Sequence, residues 1–415
     1  MKIFTYDFDI IRQAFSIRSF AIYTAGNVVS LLGMWVQRLT VGWLIWEMTE
    51  SGLWLGAVAM AEFIPTLVIT PLGGVLADRF DRRKVALINQ SIAALQAVAL
   101  WLLTLYGYIS PEWIVALVMI GGSANALNQA ARITLVVNMV PKNVMSTAIA
   151  ITSVNFNIAR IIGPAIAGIV IAYLGAAWAF AINALTYLAL IAALMALTLP
   201  PTRNVTRPPQ SLLMDIVAGA RHTFTHKAIA ALMLLTAANS ILARPVIELL
   251  PGFVGAVFNG GPGELAILTA SMGVGAIIAG LWLAQRGTTN GLTTIVLYAV
   301  TANGFIVLAF ASTNILWLGA LFLMVSGVAQ ACSGTGMQTL LQAQVEDRMR
   351  GRVMSAWLVI GRGGPALGAL VMGWLAETLG FGLPLQIGGV VSAAVALYFF
   401  QGRVWIKRSL EPDTS

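Results

Sequence analysis

Seven ionisable side chains lie inside long apolar stretches of a 415-residue chain that is 59% hydrophobic and 10% charged. In such surroundings an acid can carry a proton and an arginine can bind an anion, because few neighbours solvate either charge. Each charge would cost about 2.5–3.5 kcal/mol at the centre of a lipid-exposed helix, so these side chains should pair or line a wet cavity. They are Arg38, Glu62, Arg132, Arg160, Arg244, Glu248 and Arg362.

The first acid, Glu62, is predicted to carry a proton. Counting from the middle of the first two apolar stretches places Arg38 and Glu62 at similar depths, so the two side chains are expected to pair. Protonation of Glu62 would free Arg38 and favour one conformation over another. The alternative is a static pair that only fixes helix packing.

The second acid, Glu248, lies four residues after Arg244, with Pro245 between them. On a regular helix this spacing puts both side chains on one face, so they are predicted to pair along the helix. Contact with a substrate or a proton is the alternative, and Glu248 is therefore a second candidate for proton coupling.

Arg160 and Arg362 lie four and three residues before Pro164 and Pro365, and no acid is left in the apolar stretches to neutralise them. If both face a cavity, they give it a positive centre that favours an anionic or polyphenolate ligand. The alternative is that each binds helix carbonyls or nearby asparagines. The other predicted cavity residues are Arg132, Arg244, Asn27, Gln37 and Asn239.

The elements that must position these residues are apolar runs long enough to cross a membrane, since one helix needs about 20 apolar residues. A soluble protein with so much apolar chain would need more charge than this one has. The sequence predicts an all-α polytopic membrane protein with twelve spans. They lie near 20–46, 52–76, 85–106, 111–137, 144–173, 177–199, 227–252, 263–285, 291–310, 314–341, 352–377 and 382–404.

Lys and Arg residues outside the spans all fall on one predicted side of the membrane, which the positive-inside rule assigns to the cytoplasm. Both termini are therefore expected to be cytoplasmic, and the net charge of +8 needs no nucleic-acid partner to explain it. The loops on the opposite side contain no Lys or Arg. Their acids are Glu47, Glu50, Glu112, Glu264 and Glu377.

The chain is predicted to consist of two six-helix bundles, 1–199 and 223–415, joined by a proline-rich cytoplasmic loop at 200–222. Val-Met-Ser after span four recurs after span ten, at an offset of 209 residues, and a Gly-Pro motif in span five recurs in span eleven, at an offset of 201. Such repeats are typical of secondary transporters, whose halves rock about a site near the bilayer midplane.

The repeated Gly-Pro motif consists of Gly163 and Pro164 in the first half and Gly364 and Pro365 in the second. Proline breaks the helical hydrogen-bond ladder and glycine permits close backbone approach, so these positions are predicted to bend or to pack tightly. The alternative is that both residue types are simply commoner in membrane helices.

A charged block between spans two and three is predicted to act as a cytoplasmic gate. Asp78 would lie at a helix end beside arginines, where it could hold the halves together while the inner side is closed. Topological anchoring by positive charge explains the later residues of the block equally well. The gate residues are Gly74, Asp78, Arg79, Arg82 and Arg83.

This block resembles the signature of the major facilitator superfamily, except that Asp81 replaces the usual glycine. The residues of this block resemble those of the transmembrane secretion effector branch, which includes enterobactin exporters and macrolide-type efflux proteins. Arg132 and the segments 157–164 and 350–355 are similar to that branch as well. The resemblance implies that spans one, four, seven and ten line a cavity, and that the Gly-Pro pattern is associated with export.

The expected function is therefore proton-coupled export of a small organic molecule, such as a siderophore or drug, by a monomer in the bacterial inner membrane. An importer or a lysophospholipid flippase on the same fold is the alternative. No P-loop, nucleophile elbow, paired catalytic carboxylates or metal-ligand cluster occurs in the sequence, so we expect no enzyme activity, cofactor or metal.

Overall fold

The computed structural model describes residues 8–79, 81–197, 226–286, 288–345 and 347–411. Within these ranges the side chains at 8–9, 70–79, 129–131, 133–134 and 347–348 are not described. The predicted central loop at 200–222 lies outside the described residues. The side chains of three predicted gate residues, Gly74, Asp78 and Arg79, are outside them as well.

The described residues form helices and no strands, as expected where a bilayer supplies no hydrogen-bond partners for the backbone. The helices of the first part are α1 (Phe8–Ser16), α2 (Arg18–Thr49), α3 (Gly52–Arg79), α4 (Arg82–Leu105), α5 (Pro111–Met139), α6 (Met145–Leu174) and α7 (Ala176–Ala196). Those of the second are α8 (Lys227–Ala238), α9 (Leu250–Ala256), α10 (Pro262–Arg286), α11 (Leu292–Ala311), α12 (Leu316–Gln344), α13 (Asp347–Leu379), α14 (Gly382–Gln401) and α15 (Arg403–Leu410).

Eleven helical segments in the described part of the chain are long and apolar enough to cross a membrane. The remaining predicted span, number four, is the 29-residue helix α5, whose apolar sequence is interrupted by Asn125, Asn128 and Arg132. The predicted all-helical, multi-span class is therefore confirmed.

The seventh predicted span, 227–252, is not one regular helix. After α8 the chain forms a π-helical turn at Asn239–Ala243 and a 3₁₀ turn at Arg244–Val246, and α9 begins only at Leu250. Pro245 has no N–H to donate and its ring clashes with the preceding turn, which accounts for the interruption. The expectation of a regular α-helix at Arg244 and Glu248 is therefore wrong, while their pairing remains a prediction.

Contacts divide the chain into two compact units. The first unit comprises Met1–Val41 and Ile64–Pro209, and the second comprises Gly42–Phe63 and Gln210–Ser415. Helices α2 and α3 therefore contribute to both. The predicted boundary between six-helix bundles falls outside the described residues and remains a prediction.

Each unit has its own apolar core. The larger buried residues of the first core come from α2, α5 and α7, and those of the second come from α8, α11 and α12. In the first unit they are Phe20, Tyr23, Leu135, Leu190 and Leu194. In the second they are Leu235, Val296, Val300, Leu340 and Leu341.

Asp81, the residue that departs from the superfamily pattern, caps the N-terminus of α4. Its carboxylate accepts hydrogen bonds from the backbone N–H of Arg83 at 2.8 Å and of Lys84 at 3.4 Å. A carboxylate at this position satisfies N–H groups that have no partner within the helix and complements the helix dipole. Arg83 also donates through Nη2 to the carbonyl of Met195. The predicted gate role of Arg82 and Arg83 remains a prediction.

Candidate functional site

Arg160 lies on the face of α6 that packs against α2 in the first unit. Its neighbours one turn away on either side, Phe156 and Gly163, both contact Trp35 of α2. The Trp35 and Phe156 ring centroids are 5.8 Å apart, and a Cβ placed on Gly163 would lie 2.4 Å from the Trp35 Cβ. Because residues three and four apart share a helical face, Arg160 faces the same side as these contacts.

Two buried hydrogen-bond donors at this place have no acceptor among the described residues: Nε of Arg160 and Nε1 of Trp35. Arg38 adds a second cation, with its guanidinium 5.5 Å from the centroid of the Trp35 ring. Neither α6 nor α2 as far as Val41 contains an acid. We call Trp35, Arg38, Phe156, Arg160 and Gly163 the Trp35–Arg160 cluster.

Chemically, the Trp35–Arg160 cluster offers donors and aromatic surface to an anion. Buried polar groups normally have partners, and an unsatisfied donor costs about 1–3 kcal/mol. An anionic, planar ligand would satisfy the Arg160 and Trp35 donors and lie against the aromatic rings. Sequence reasoning found Arg160 from its charge, whereas only packing reveals that the partly buried ring of Trp35 lies beside α6 with its Nε1 buried.

Arg132 and Asn27, both predicted cavity residues, are brought together in the first unit. Arg132 donates through Nη2 to Oδ1 of Asn27, which is buried. Arg132 also lines a polar pocket between α2, α4, α5 and α7. Other polar residues of that pocket are Ser30, Asn89, Gln90, Asn125, Asn128 and Tyr187. A partly buried cation with neutral polar neighbours therefore lies within the first unit, apart from the Trp35–Arg160 cluster.

Gln37 forms side-chain hydrogen bonds with two other helices of the first unit. Its Oε1 accepts from Nδ2 of Asn183 on α7 at 2.7 Å, and its Nε2 donates to Oε1 of Gln96 on α4 at 3.2 Å. Sequence reasoning selected Gln37 and missed both partners. A lone amide in an apolar stretch signals that a partner exists without showing which helix supplies it.

Asn239 begins a buried hydrogen-bond chain in the second unit. Its Oδ1 accepts from Nδ2 of Asn303 at 2.9 Å, and Oδ1 of Asn303 accepts from the Ser326 hydroxyl at 2.7 Å. Gln330 then donates to the Ser326 hydroxyl at 3.1 Å. This chain of hydrogen bonds ties the irregular segment between α8 and α9, residues 239–249, to α11 and α12. Asn239 therefore has a structural role in holding these elements together.

The irregular segment also packs closely against α13. Arg244 donates through Nη1 to the carbonyl of Gly361 at 3.1 Å. A Cβ on Gly364 would lie 2.5 Å from Cβ of Ser240, and one on Gly368 would lie 2.1 Å from the carbonyl oxygen of Ile241. The Gly-Pro motif of the second unit therefore lies where two backbones approach closely.

The other predicted intramembrane charges differ in exposure. Glu62 and Glu248 are partly buried, whereas Arg38 and Arg362 are exposed. The proposed pairing of Arg38 with Glu62 and the cavity role of Arg362 remain predictions.

A close contact between α3 and α13 lies within the second unit, and sequence reasoning did not find it. A Cβ on Gly373 would lie 2.0 Å from the carbonyl oxygen of Gly52, and a Cβ on Gly56 would lie 2.4 Å from Cα of Leu370. Small residues let membrane helices approach to backbone contact. We call this contact the α3–α13 seam.

Glu377 closes one end of the α3–α13 seam. Its Oε1 accepts from the Ser51 hydroxyl at 2.7 Å and from the backbone N–H of Leu53 at 3.1 Å. A carboxylate on α13 therefore caps the N-terminus of α3, where N–H groups lack partners within the helix. The sequence identified Glu377 only as an acid of a loop without Lys or Arg.

Comparison with known families gives one match over nearly the whole chain. Residues 13–414 match the family described as transmembrane secretion effector. Among curated relatives, the staphyloferrin A transporter of Staphylococcus aureus is 24% identical over 393 residues, covering 94% of this chain and 97% of that protein. The enterobactin exporter EntS of Citrobacter koseri is 26% identical over 385 residues, covering 90% and 88%.

Solved structures with a similar fold are also transporters. The nucleoside transporter NupG superposes with a TM-score of 0.74 at 15% identity, covering 92% of this chain and 98% of that one. A D-xylose–proton symporter superposes with a TM-score of 0.68 at 16% identity, covering 92% and 96%. At these identities the likeness shows the fold alone.

Proposed function

This chain belongs to the transmembrane secretion effector family of the major facilitator superfamily, and from that premise we propose that it exports a small anionic organic molecule in exchange for protons. Family membership makes it a secondary transporter of a small organic substrate and not an enzyme. The direction of transport, the coupling ion and the charge of the substrate belong to the proposal.

The observation that carries the proposal is the Trp35–Arg160 cluster, in which two buried donors lack acceptors. A substrate with an anionic oxygen would accept from Arg160 and Trp35, and a planar group would pack against the ring of Phe156. Siderophores and acidic drugs have this combination of groups. Two relatives are named for staphyloferrin A transport and enterobactin export, which favours the siderophore class.

Export is favoured by the relatives named as exporters and by the Gly-Pro motif of α6. With no ATP-binding motif in the sequence, an ion gradient or the substrate's own gradient is left as the energy source; we propose a proton gradient, with Glu62 as the proton carrier. We place the protein in the bacterial inner membrane as a monomer with both termini cytoplasmic, working by alternating access.

The proposal is tested by incubating inverted membrane vesicles that contain the protein with an external panel of siderophores, dyes and antibiotics and measuring uptake. We expect anionic members of the panel to accumulate only when a proton gradient, acidic inside, is imposed. Accumulation of cationic members alone would contradict the anionic site. Uptake confined to right-side-out vesicles would show an importer or flippase instead.

Replacing Glu62 with glutamine should reduce gradient-driven accumulation at least about tenfold, because an amide cannot take up the coupling proton. Exchange of labelled for unlabelled substrate without a gradient should persist. Glu47, which is exposed on α2, provides the matched control, and Glu47→Gln should transport like wild type. Unchanged gradient dependence in Glu62→Gln would remove Glu62 from the coupling mechanism.

A further inference from the structure

The last described helix, α15, follows the membrane helix α14 after a single residue, Gly402. One face of α15 is part of the core of the second unit, where Ile406 is 0% and Leu410 is 3% exposed. Gln344 of α12 donates through Nε2 to the carbonyl of Leu410 at 2.8 Å. The helix is therefore fixed to the unit along this face and at its end.

The opposite face of α15 is open and combines basic and apolar side chains. At 100° per residue, Ile406 and Leu410 point one way and Val404 and Arg408 point the other. Val404 is 56% exposed and Trp405 is 43% exposed. All three basic residues of the helix, Arg403, Lys407 and Arg408, are exposed as well.

The acid that follows α15 within the described part of the chain is used elsewhere. Glu411, which follows α15, accepts from the backbone N–H of Gly291 through Oε2 and from that of Thr293 through Oε1, the latter at 2.6 Å. It therefore caps the N-terminus of α11. The sequence 403–410 contains no acid, and the structure shows no ion pair between its basic residues and any described Asp or Glu. Among the described residues, these three positive charges have no acidic partner.

We propose that the exposed surface of α15, formed by Val404, Trp405, Lys407 and Arg408 together with Arg403 at the N-terminal end of the helix, binds the headgroups of anionic phospholipids. The helix begins where a membrane-crossing helix ends, which places it at headgroup depth. Tryptophan is enriched at that depth, and clustered basic residues are attracted to anionic lipid. An acidic protein segment would also suit the charges, but the exposed Val404 and Trp405 favour a surface with an apolar layer below its charges.

Native mass spectrometry of the full-length protein in mixed micelles tests this binding, with dioleoylphosphatidylglycerol and dioleoylphosphatidylcholine as competing probes. We expect wild type to retain phosphatidylglycerol preferentially, and high salt to reduce the preference because it screens exposed charges. Neutralising the three charges should weaken retention of phosphatidylglycerol at least about tenfold and leave phosphatidylcholine unchanged. The neutral variant carries Arg403→Gln, Lys407→Gln and Arg408→Gln.

Two control variants separate lipid binding from loss of fold or of net charge. A charge-retaining variant should bind like wild type, and it carries Arg403→Lys, Lys407→Arg and Arg408→Lys. A variant with the same change in net charge in the first unit should keep most of the preference, and it carries Arg12→Gln, Arg18→Gln and Lys142→Gln.

Equal retention of phosphatidylglycerol by wild type and the neutral variant would overturn the proposal. So would loss of the preference in the charge-retaining variant. If wild type bound an acidic peptide such as oligoglutamate more tightly than phosphatidylglycerol, the occupant would be a protein segment and the lipid assignment would be wrong.

Discussion

Replacing Arg160 with methionine should reduce transport of an anionic substrate at least about tenfold and, at the same time, raise the thermal stability of the protein. Transport falls because a hydrogen bond from a charged donor to the substrate, worth about 1.5–3 kcal/mol, is lost. Stability rises because the largely buried guanidinium has no acceptor for its Nε among the described residues and lies in an apolar helix. Transport into proteoliposomes and the melting temperature in detergent measure the two effects.

Opposite signs for activity and stability are what distinguish a binding residue from a packing residue. Arg160→Lys should give intermediate transport, because lysine keeps the charge and loses the planar fork that binds an oxyanion at two points. The exposed Arg12 is the control, and Arg12→Met should change neither quantity. A drop in melting temperature with unchanged substrate KM in Arg160→Met would show that Arg160 only supports packing.

Replacing Gly373 with alanine should destabilise the protein by about 1–3 kcal/mol, the usual cost of overpacking. The added methyl group would lie 2.0 Å from the carbonyl oxygen of Gly52, so the two helices of the α3–α13 seam must separate. Since the proposed alternating-access cycle needs this contact to close fully, we expect transport to fall with stability. The melting temperature and the transport rate of the same preparation measure both.

Gly361 is the matched control, because it lies on the same helix and a Cβ there meets nothing within 4 Å. Gly361→Ala should be neutral or stabilising by up to about 1 kcal/mol, because alanine is the better helix former. Glu377→Gln should weaken the same contact less than Gly373→Ala, since glutamine still accepts hydrogen bonds from Ser51 and Leu53 without the charge. Equal melting temperatures for Gly373→Ala and Gly361→Ala would show that the seam is not a close contact.

The class of protein could be predicted from the apolar runs and motifs of the chain. Long apolar runs have to become helices in lipid, because no other open structure satisfies every backbone group, and the predicted helices are present in the described residues. The charged block with Arg79 and Arg82 and the 157–164 segment identified the family, which the match over residues 13–414 confirms. The positive-inside orientation, the two-bundle boundary and the pairing of Arg38 with Glu62 remain predictions.

Which polar groups have partners is visible only in the packing of the helices. From the sequence, Arg160 and Gln37 are both polar residues within long apolar helices, with no sign of which one has a partner. The structure gives Gln37 two amide partners from other helices, whereas Nε of Arg160 has none among the described residues. Partners come from helices distant in sequence, and no local pattern encodes which helices become neighbours.

The same dependence on contacts between helices explains two other differences between the sequence predictions and the structure. Helical spacing predicts a common face for Arg244 and Glu248 only if the helix is regular, and packing of the interrupted segment against α13 allows it to be irregular. The sequence identifies Glu377 only as a loop acid, whereas the structure shows its Oε1 accepting from the backbone N–H of Leu53 at 3.1 Å. Periodicity and composition indicate the environment that surrounds each helix, which here is lipid. Contacts between helices depend on the fit of their surfaces at ångström precision, which only the folded chain defines.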